Sequence, residues 1–420
     1  MKLKVLFVLL VFQMSFAQHR TCGTPALMQQ IMADPQLRQL HLENQAKFEV
    51  ELQKQTLNKN SNTTNSTNAL ITIPVAVHFP SAGSASATVK TCLRNFAQTQ
   101  INILNADYNA ANADIVNWAN DAPFYPMVTS VGNLNVKFVL ATQNHPAGTG
   151  IAEGTVAVTF GTDFLSNADS DSTWAGYLNL VCRNINGGIL GYSPLGGSPS
   201  AGQTVVIDNN AFGSGSGCTG YVPGAPYNLG RTLTHELGHF FNLDHTFNTG
   251  TCSSTSCTNQ GDKICDTPQV AQESYDCPVA GQVMGCTSGE YALTMNYMDY
   301  VNDACMYMFT LGQENRMRAY YNAIASQFKT NVLANTQFVE NTFSLYPNPN
   351  KGSFTIEFKE LTGSYSVEVF DVTGKTVYEN NYDQSAGLIQ TIDLQNTSTG
   401  VYFINVKTES GLITKKLIIQ

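Results

Sequence analysis

The sequence predicts an α/β domain, in which a twisted mixed sheet packs against a metal-binding helix, followed by a small all-β sandwich. Three observations predict this architecture. Apolar residues alternate in short runs between positions 70 and 210, as they do in strands. A helical segment with two histidines four residues apart follows those runs. After position 345, alternating apolar runs recur about every ten residues with Gly, Asn and Asp between them, which is typical of a sandwich.

Length and charge limit the classes of protein to consider. The chain has 420 residues, which at about 150 residues per domain indicates more than one domain. Its net charge is -9, and only 13% of its residues are charged. Because no basic face is visible in the sequence, we expect no nucleic-acid partner. We also expect a monomer.

Residues 1–18 indicate a secretory signal peptide. Lys2 and Lys4 form a positive start, Val5–Phe12 an apolar stretch, and Ser15–Ala17 a small-x-small cleavage site. A membrane-spanning helix needs about 20 apolar residues, more than this stretch or any later one offers. We therefore expect a secreted protein without a transmembrane segment, in which cysteines form disulfides.

Residues 19–69 indicate a cleavable propeptide. A helical pattern fades into a tract rich in Asn, Ser and Thr at positions 58–68. Low hydrophobicity there predicts an exposed, protease-accessible linker. Such a segment suits a secreted protein that must stay inactive until export. The apolar positions of the helical pattern are Leu27, Ile31, Leu37 and Leu40.

We predict that the α/β domain extends over residues 70–330. A strand of alternating Ile and Val begins at Ile71, and a helix is expected from Cys92 to Ala110. The histidine-bearing helix starts at about Asn228 and packs on the sheet, and a helix from about Thr310 to Phe328 closes the domain. Further strands are predicted at Leu134–Leu140, Tyr177–Cys182 and Thr204–Ile207.

The Gly-rich stretch Gly187–Tyr192 has two interpretations. A Gly-flanked strand just before a metal helix suits a sheet edge to which an extended peptide adds. An ordinary core strand is the alternative, and the residues alone leave both open.

Three histidines predict the functional centre. His235 and His239 lie four residues apart, so their imidazoles share one helical face. His245 can join them only if the chain turns sharply, and Asn242 tolerates the left-handed conformation that such a turn requires. Three imidazoles with one open position describe a catalytic zinc site. Glu236 lies within reach of a zinc-activated water as general base.

Six of the ten cysteines follow the third histidine, in a segment with few apolar residues. This density predicts a disulfide-stapled loop region. A second zinc site is the alternative, but the spacings lack paired CxxC geometry. Six cysteines allow 15 connectivities, and the sequence does not choose among them. The six are Cys252, Cys257, Cys265, Cys277, Cys286 and Cys305.

Two further motifs could supply metal ligands, and each leaves an alternative open. Asp262, Asp266 and Thr267 offer oxygen ligands for Ca²⁺, although the same composition is common in turns. Cys22, near the start of the propeptide, could place its thiolate in the open zinc position and displace the water. Alternatively, Cys22 pairs with Cys92 or stays free.

Several motifs together resemble the pappalysin family of metzincin metallopeptidases. The resemblance spans about residues 70 to 325 and implies a metzincin-like fold and a zinc endopeptidase. The motifs are His235–Phe247, Gln100–Asn105 with Asp107-Tyr108, Gly188–Tyr192, Gly261-Asp262 with Asp266–Pro268, Asn296–Tyr300, Cys305-Met306 and Phe309–Gln313.

The resemblance also implies roles for individual residues. His235, His239 and His245 would be the zinc ligands and Glu236 the base. Met298 would be the Met-turn residue beneath the metal, and Tyr300 the phenol that contacts the metal or the oxyanion. Asn242 departs from the family pattern, in which glycine is usual.

Other family features are implied less directly. Members tend to cleave before basic residues through an acidic group near the Met-turn, for which Asp303 is the nearest candidate. Disulfides would join Cys257 to Cys286 and Cys277 to Cys305. Calcium would bind in the Asp262 loop, and Cys22 would act as a cysteine switch.

A linker at residues 331–344 precedes residues 345–420, which resemble the sorting domain of the type IX secretion system. The supporting motifs are Tyr346–Pro349, Val369–Lys375 and Gly400–Tyr402. This resemblance implies contact with the secretion machinery. A catalytically silent zinc-containing adhesin or binding module is the alternative function, but it would have no need for Glu236 and Tyr300. We therefore expect a secreted endopeptidase that acts on proteins or peptides.

Overall fold

The chain divides into two compact units, residues 1–333 and 334–420. The predicted signal peptide, positions 61–68 of the predicted Asn/Ser/Thr tract and most of the predicted interdomain linker lie outside the described residues. The computed structural model describes residues 19–60, 69–161, 170–248, 252, 256–333, 343–358, 364–383, 387–394, 397–408 and 411–420.

A six-stranded mixed sheet forms the centre of the first unit. Its strands are β1 (Ile71–Phe79), β2 (Val136–Leu140), β3 (Val158–Phe160), β4 (Leu178–Arg183), β5 (Gly191–Tyr192) and β6 (Thr204–Asp208). The strand order is β2-β1-β4-β6-β5, and β3 pairs with the end of β1. The strands β1, β4 and β6 pair in parallel, whereas β5 is antiparallel to β6 at the edge. The prediction of a mixed sheet is confirmed, and the Gly-rich stretch supplies its edge.

Both faces of the central strands are buried, and they contact different neighbours. On β1, Val75 and Val77 belong to the main core beneath the helices. Ala76, between them, lies in a second cluster with Trp174 on the opposite face. The same alternation continues through β4 and β6. The sheet is therefore an inner layer, which explains why its strands are apolar on both faces.

Helices cover the main-core face of this sheet. They are α3 (Ala87–Asp107), α5 (Arg231–Phe240) and α6 (Leu311–Ile324), whereas the short α4 (Trp118–Asp121) contributes no residue to the main core. Ser86 caps α3 by accepting a hydrogen bond from Val89 N. Thr310 and Gln313 form a capping box at the start of α6, which satisfies two backbone donors reciprocally. Helix α6 begins one residue after its predicted start at Thr310, whereas α3 begins five residues before its predicted start at Cys92.

Two helices precede the sheet in the chain. They are α1 (Thr24–Ala33) and α2 (Pro35–Asn60). Asp34 separates them, because its Oδ1 accepts hydrogen bonds from Gln36 N and Leu37 N at the start of α2. The aromatic ring of Phe48 is fully buried in the main core. The helical pattern of this segment is thus longer than its few leucines indicated.

The disulfides correct one predicted pairing. The structure joins Cys92 to Cys218, Cys252 to Cys286, Cys257 to Cys265, and Cys277 to Cys305. The predicted Cys257–Cys286 pair is wrong. Consecutive turns, with Gly261 and Lys263 at positive φ, fold the loop back on itself and bring the Cys257 and Cys265 Cα atoms to 5.0 Å. That separation suits a disulfide.

The second unit is a two-sheet β structure with one shared core. Its strands are β7 (Phe343–Tyr346), β8 (Ser353–Phe358), β9 (Tyr365–Asp371), β10 (Thr376–Tyr382), β11 (Ile389–Asp393), β12 (Gly400–Thr408) and β13 (Gly411–Ile419). One sheet has the order β10-β9-β12-β13 and the other β11-β8-β7. Side chains from both sheets form the core, which confirms the predicted small sandwich. The sequence had not indicated β7.

Candidate metal centre

The histidine-bearing helix α5 is buried over its whole length. It follows Gly230, whose φ of 77° lies in the left-handed region, and all ten of its residues are buried. A β-carbon at Gly238 would come within 2.5 Å of the Met298 Sδ atom. The thioether therefore packs directly against the helix, and a larger residue at position 238 would have to displace it.

Asn242 turns the chain at the end of α5. Its φ is 70°, the left-handed conformation, and Leu243 N donates to Gly238 O at 3.0 Å. The turn brings His245 back toward the helix, with its Nε2 atom 3.0 Å from that of His239 and 3.3 Å from that of His235. The sharp turn predicted at Asn242 is present.

The orientation of the imidazoles suits a cation. His235 Nδ1 lies 2.6 Å from Tyr297 O, and His239 Nδ1 lies 2.7 Å from Leu243 O. A carbonyl accepts only from a protonated Nδ1, so the Nε2 atoms of His235 and His239 present lone pairs toward His245 Nε2. Burial lowers the pKa of all three imidazoles and keeps them neutral. Facing lone pairs repel each other unless a cation lies between them, so three converging imidazole nitrogens fit a zinc ion.

Glu236 lies beside the histidines and is almost fully buried. Burial raises the pKa of its carboxyl to about 8. Its Oε2 atom lies 3.2 Å from the Cys22 Sγ atom. A β-carbon at Gly191, on the edge strand β5, would come within 2.8 Å of Glu236 Cγ. The absence of a side chain at Gly191 therefore leaves the room that Glu236 occupies.

The structure brings Cys22 to the histidines. Its Sγ atom and one nitrogen of each histidine all lie within 4.8 Å of one another. Cys22 is not paired with Cys92, because Cys92 forms its disulfide with Cys218. Backbone hydrogen bonds hold the segment on β5: Gly23 N donates to Gly191 O at 2.9 Å, and Leu190 N donates to Thr21 O at 3.0 Å. The segment runs parallel to the edge strand.

Arg20 occupies a buried acidic pocket next to Cys22, a role that sequence reasoning did not assign to it. Its Nη2 atom lies 2.5 Å from Asp303 Oδ1, and both side chains are fully buried. Asp303 Oδ2 accepts a hydrogen bond from Leu229 N at 2.8 Å. The Arg20 guanidinium also lies 5.0 Å from the centre of the Tyr227 ring. In the sequence, the only signal for this role of Arg20 was its position two residues before Cys22.

Tyr300 borders the histidine cluster. Its ring centre lies 5.0 Å from that of His245 and 5.8 Å from that of His235. Burial raises the pKa of the phenol well above its usual range, so the hydroxyl keeps its proton. Tyr300 can thus donate a hydrogen bond into the cluster.

The structure brings together two of the three residues that were candidates for calcium. Asp262 Oδ2 accepts a hydrogen bond from Thr267 Oγ1 at 2.7 Å, and burial raises the pKa of Asp262 to about 7. Asp266 instead faces the start of α6, where it accepts from Thr310 Oγ1 and Gly312 N, both at 2.7 Å. Within the described part of the chain, the only cluster of three or more His, Cys, Asp or Glu side chains with metal-binding spacing is Cys22 with the three histidines.

Comparison with known protein families identifies the region around α5. A family model described as pregnancy-associated plasma protein-A, a peptidase family, matches residues 218–322, which include the three histidines, Glu236 and Tyr300. The chain carries a pappalysin-family peptidase domain. The predicted family is thus confirmed.

Known relatives of this pappalysin domain are extracellular metalloproteases. One from Coccidioides posadasii is 40% identical over 144 residues, which are 34% of this chain and 49% of the relative. One from Verticillium alfalfae is 42% identical over 150 residues, 34% of this chain and 50% of the relative. The chain therefore spans about half the length of the curated relatives that it matches.

A solved structure extends the likeness to most of the chain. A promirolysin mutant from Tannerella forsythia matches with a TM-score of 0.50 and 27% identity, covering 72% of this chain and 94% of that one. The match agrees with the mixed sheet and helices described above. The pappalysin domain has the metzincin fold.

The second unit has its own family. A model for a secretion system C-terminal sorting domain matches residues 344–420. Together with the extracellular relatives, this domain identifies the chain as a secreted protein. No helix among the described residues is both long enough and apolar enough to cross a membrane.

Proposed function

We propose that this secreted protein is a zinc-dependent endopeptidase, with His235, His239 and His245 as zinc ligands and Glu236 as general base. The convergence of three imidazole Nε2 atoms beside a buried carboxyl group carries the proposal. The peptidase family match supports it.

Residues of the chain perform the remaining chemistry. Zinc at this site would polarise the scissile carbonyl and lower the pKa of a water molecule. Glu236 accepts the proton of the attacking water and passes it to the departing amine. The protonated phenol of Tyr300 stabilises the developing oxyanion by donating a hydrogen bond.

Removal of the metal gives the first test. Treating the purified mature protein with a chelator should abolish casein hydrolysis, and added Zn²⁺ should restore it, because no other described cluster can bind zinc in this way. Activity that persists after verified loss of zinc would contradict the proposal. A protein that binds zinc but cleaves nothing would indicate the silent binding module instead.

The same geometry supports a latent proform in which residues 19–69 are the propeptide. Cys22 would supply the fourth zinc ligand. The segment around Cys22 pairs with the edge strand β5, where a substrate would bind. We propose that substrates pair with β5 in the antiparallel direction. Because the propeptide runs parallel, its peptide groups reach the site in reversed order, and it blocks the site without being cut.

Asp303 supports a preference for a basic residue after the cut. In the latent chain its carboxylate receives the Arg20 guanidinium inside a buried pocket beside the metal centre. A substrate arginine or lysine would take the place of Arg20 once the propeptide leaves. Both partners are desolvated, so the pair is sensitive to the loss of either charge.

Asp303→Asn should remove this preference while retaining an oxygen acceptor for Leu229 N. For a peptide with Arg after the cut we expect kcat/KM to fall about thirtyfold, corresponding to about 2 kcal/mol for a charge-assisted hydrogen bond. A peptide with Leu at that position serves as the matched control and should change little. Equal losses for both peptides would show that Asp303 supports the fold and does not select the substrate.

Calcium remains a proposal for the loop that contains Asp262 and Thr267. Asp262 is buried and interacts electrostatically with the nearby Asp244 carboxylate, a combination that a divalent cation would stabilise. Since Asp266 binds the start of α6, it would contribute to loop position and not to coordination. Calcium added back to the chelated protein should then raise its melting temperature without restoring activity.

We further propose that the remaining segments serve export. Residues 1–18 would direct the chain across the inner membrane, and residues 345–420 would engage the secretion machinery. Residues 331–344 would link the peptidase domain, residues 70–330, to this sorting domain. The sorting-domain match supports this organisation.

A further inference from the structure

Helix α2 contacts the end of the metal-site helix far along the chain from Cys22. Gln45 and Asn242 form a reciprocal amide pair, in which Gln45 Nε2 donates to Asn242 Oδ1 at 3.0 Å and Asn242 Nδ2 donates to Gln45 Oε1 at 3.1 Å. Asn242 is only 2% exposed. Both polar atoms of the Asn242 side chain therefore bond to α2 and not to solvent.

An aromatic contact lies one helical turn further along α2. Phe48 is fully buried, 5.9 Å from the ring centre of Tyr320, and the Arg316 guanidinium lies 4.8 Å from the Phe48 ring. Arg316 Nε in turn donates to Asn242 O at 2.7 Å. One arginine thus joins the aromatic contact to the turn that positions His245.

The backbone conformation at position 242 does not require an amide side chain. Glycine adopts a φ of 70° without strain, so glycine would make the same turn. What asparagine adds is the pair of hydrogen bonds to Gln45. These bonds compensate each other's desolvation, whereas either residue alone would leave a partly buried amide without its partner.

We propose that Asn242, Arg316 and Tyr320 form a helix-docking surface that recognises the propeptide helix α2 independently of the thiol at Cys22. The segment that binds this surface is Pro35–Asn60 of the same chain. It is recognised through the amide of Gln45 and the aromatic ring of Phe48, three residues apart. The propeptide is then held at two points, and withdrawal of the thiol from the metal leaves α2 docked. This inference rests on the proposed latent proform.

Hydrogen exchange of the α2 amides in the full chain tests the docking surface. A Glu236→Ala background keeps the chain uncut, so the readout needs no proteolysis. We expect Gln45→Ala and Asn242→Gly each to speed α2 exchange roughly tenfold, and the double variant to add little, since both remove one interaction. Cys22→Ala should leave α2 exchange within about twofold of its starting value.

Controls separate docking from general loosening. Gln39, on the same helix, is exposed and bonds only Glu43 among the described contacts, so Gln39→Ala should change nothing. Exchange in β1 and β4 should stay constant in every variant that folds. Unchanged α2 exchange in the single variants, additive effects in the double variant, or release of α2 by Cys22→Ala would each overturn the proposal. An inactive mature enzyme would instead refute the proposed function and leave the exchange result standing.

Discussion

Glu236→Ala should reduce peptide hydrolysis by the mature enzyme about a thousandfold or more while zinc stays bound. A general base contributes roughly 10²- to 10⁴-fold to such a reaction. Alanine keeps the helix, and the His235 and His239 imidazoles retain their carbonyl partners, because neither contact involves position 236. The measurement is kcat/KM on a peptide substrate together with the zinc content of the same sample.

The matched control is Glu290→Ala, which removes a carboxylate from a loop of the same domain. It should leave activity within about twofold, since surface substitutions away from special features change little. A Glu236→Ala enzyme with full zinc and undiminished activity would refute the assigned base. Loss of zinc together with activity would show that Glu236 acts by maintaining the site.

Cys22→Ala should give a proform with premature activity, about tenfold or more above that of the unaltered proform. The propeptide is part of the same chain and therefore binds the site at high effective concentration. Loss of the Cys22 thiol weakens this binding and shifts the equilibrium from the blocked site toward the open site. Arg20 and α2 still hold the segment, and we therefore expect partial and not full activity. Hydrolysis of a short peptide by the uncleaved proform measures the effect.

Cys182→Ala provides the matched control for this variant. Cys182 is the second free thiol among the described cysteines, fully buried in the main core and outside the histidine cluster. Its loss should leave latency intact and lower stability only modestly, since alanine is a slightly smaller apolar group. Equal latency in Cys22→Ala and the unaltered proform would show that the thiol does not maintain the inactive state.

The metal centre was accessible to sequence reasoning because its determinants are local. The spacing of His235 and His239 follows from helical periodicity, and the turn at Asn242 follows from the conformations that asparagine tolerates. Strand alternation from Ile71 onward indicated the sheet for the same reason. Each of these features depends on residues within a few positions of one another.

The disulfides show where local reasoning ends. Cysteine density predicted stapled loops, yet the pairing of Cys257 with Cys265 depended on turns at Gly261 and Lys263 that composition did not specify. The predicted partner, Cys286, binds Cys252 instead. Connectivity is a matter of which Cα atoms approach to disulfide distance, and that is known only once the loop is folded.

The sequence by itself determined the family, the mixed sheet and the terminal sandwich, and it predicted three histidines as zinc ligands. Only the tertiary structure decided that Arg20 meets Asp303, 283 positions away, that Cys22 reaches the histidines, and that Gln45 pairs with Asn242. The physical reason is that these contacts join polar groups from distant elements, whose positions follow from how the helices pack on the sheet. Periodicity reports which face of an element is buried, and packing alone decides which polar groups meet there.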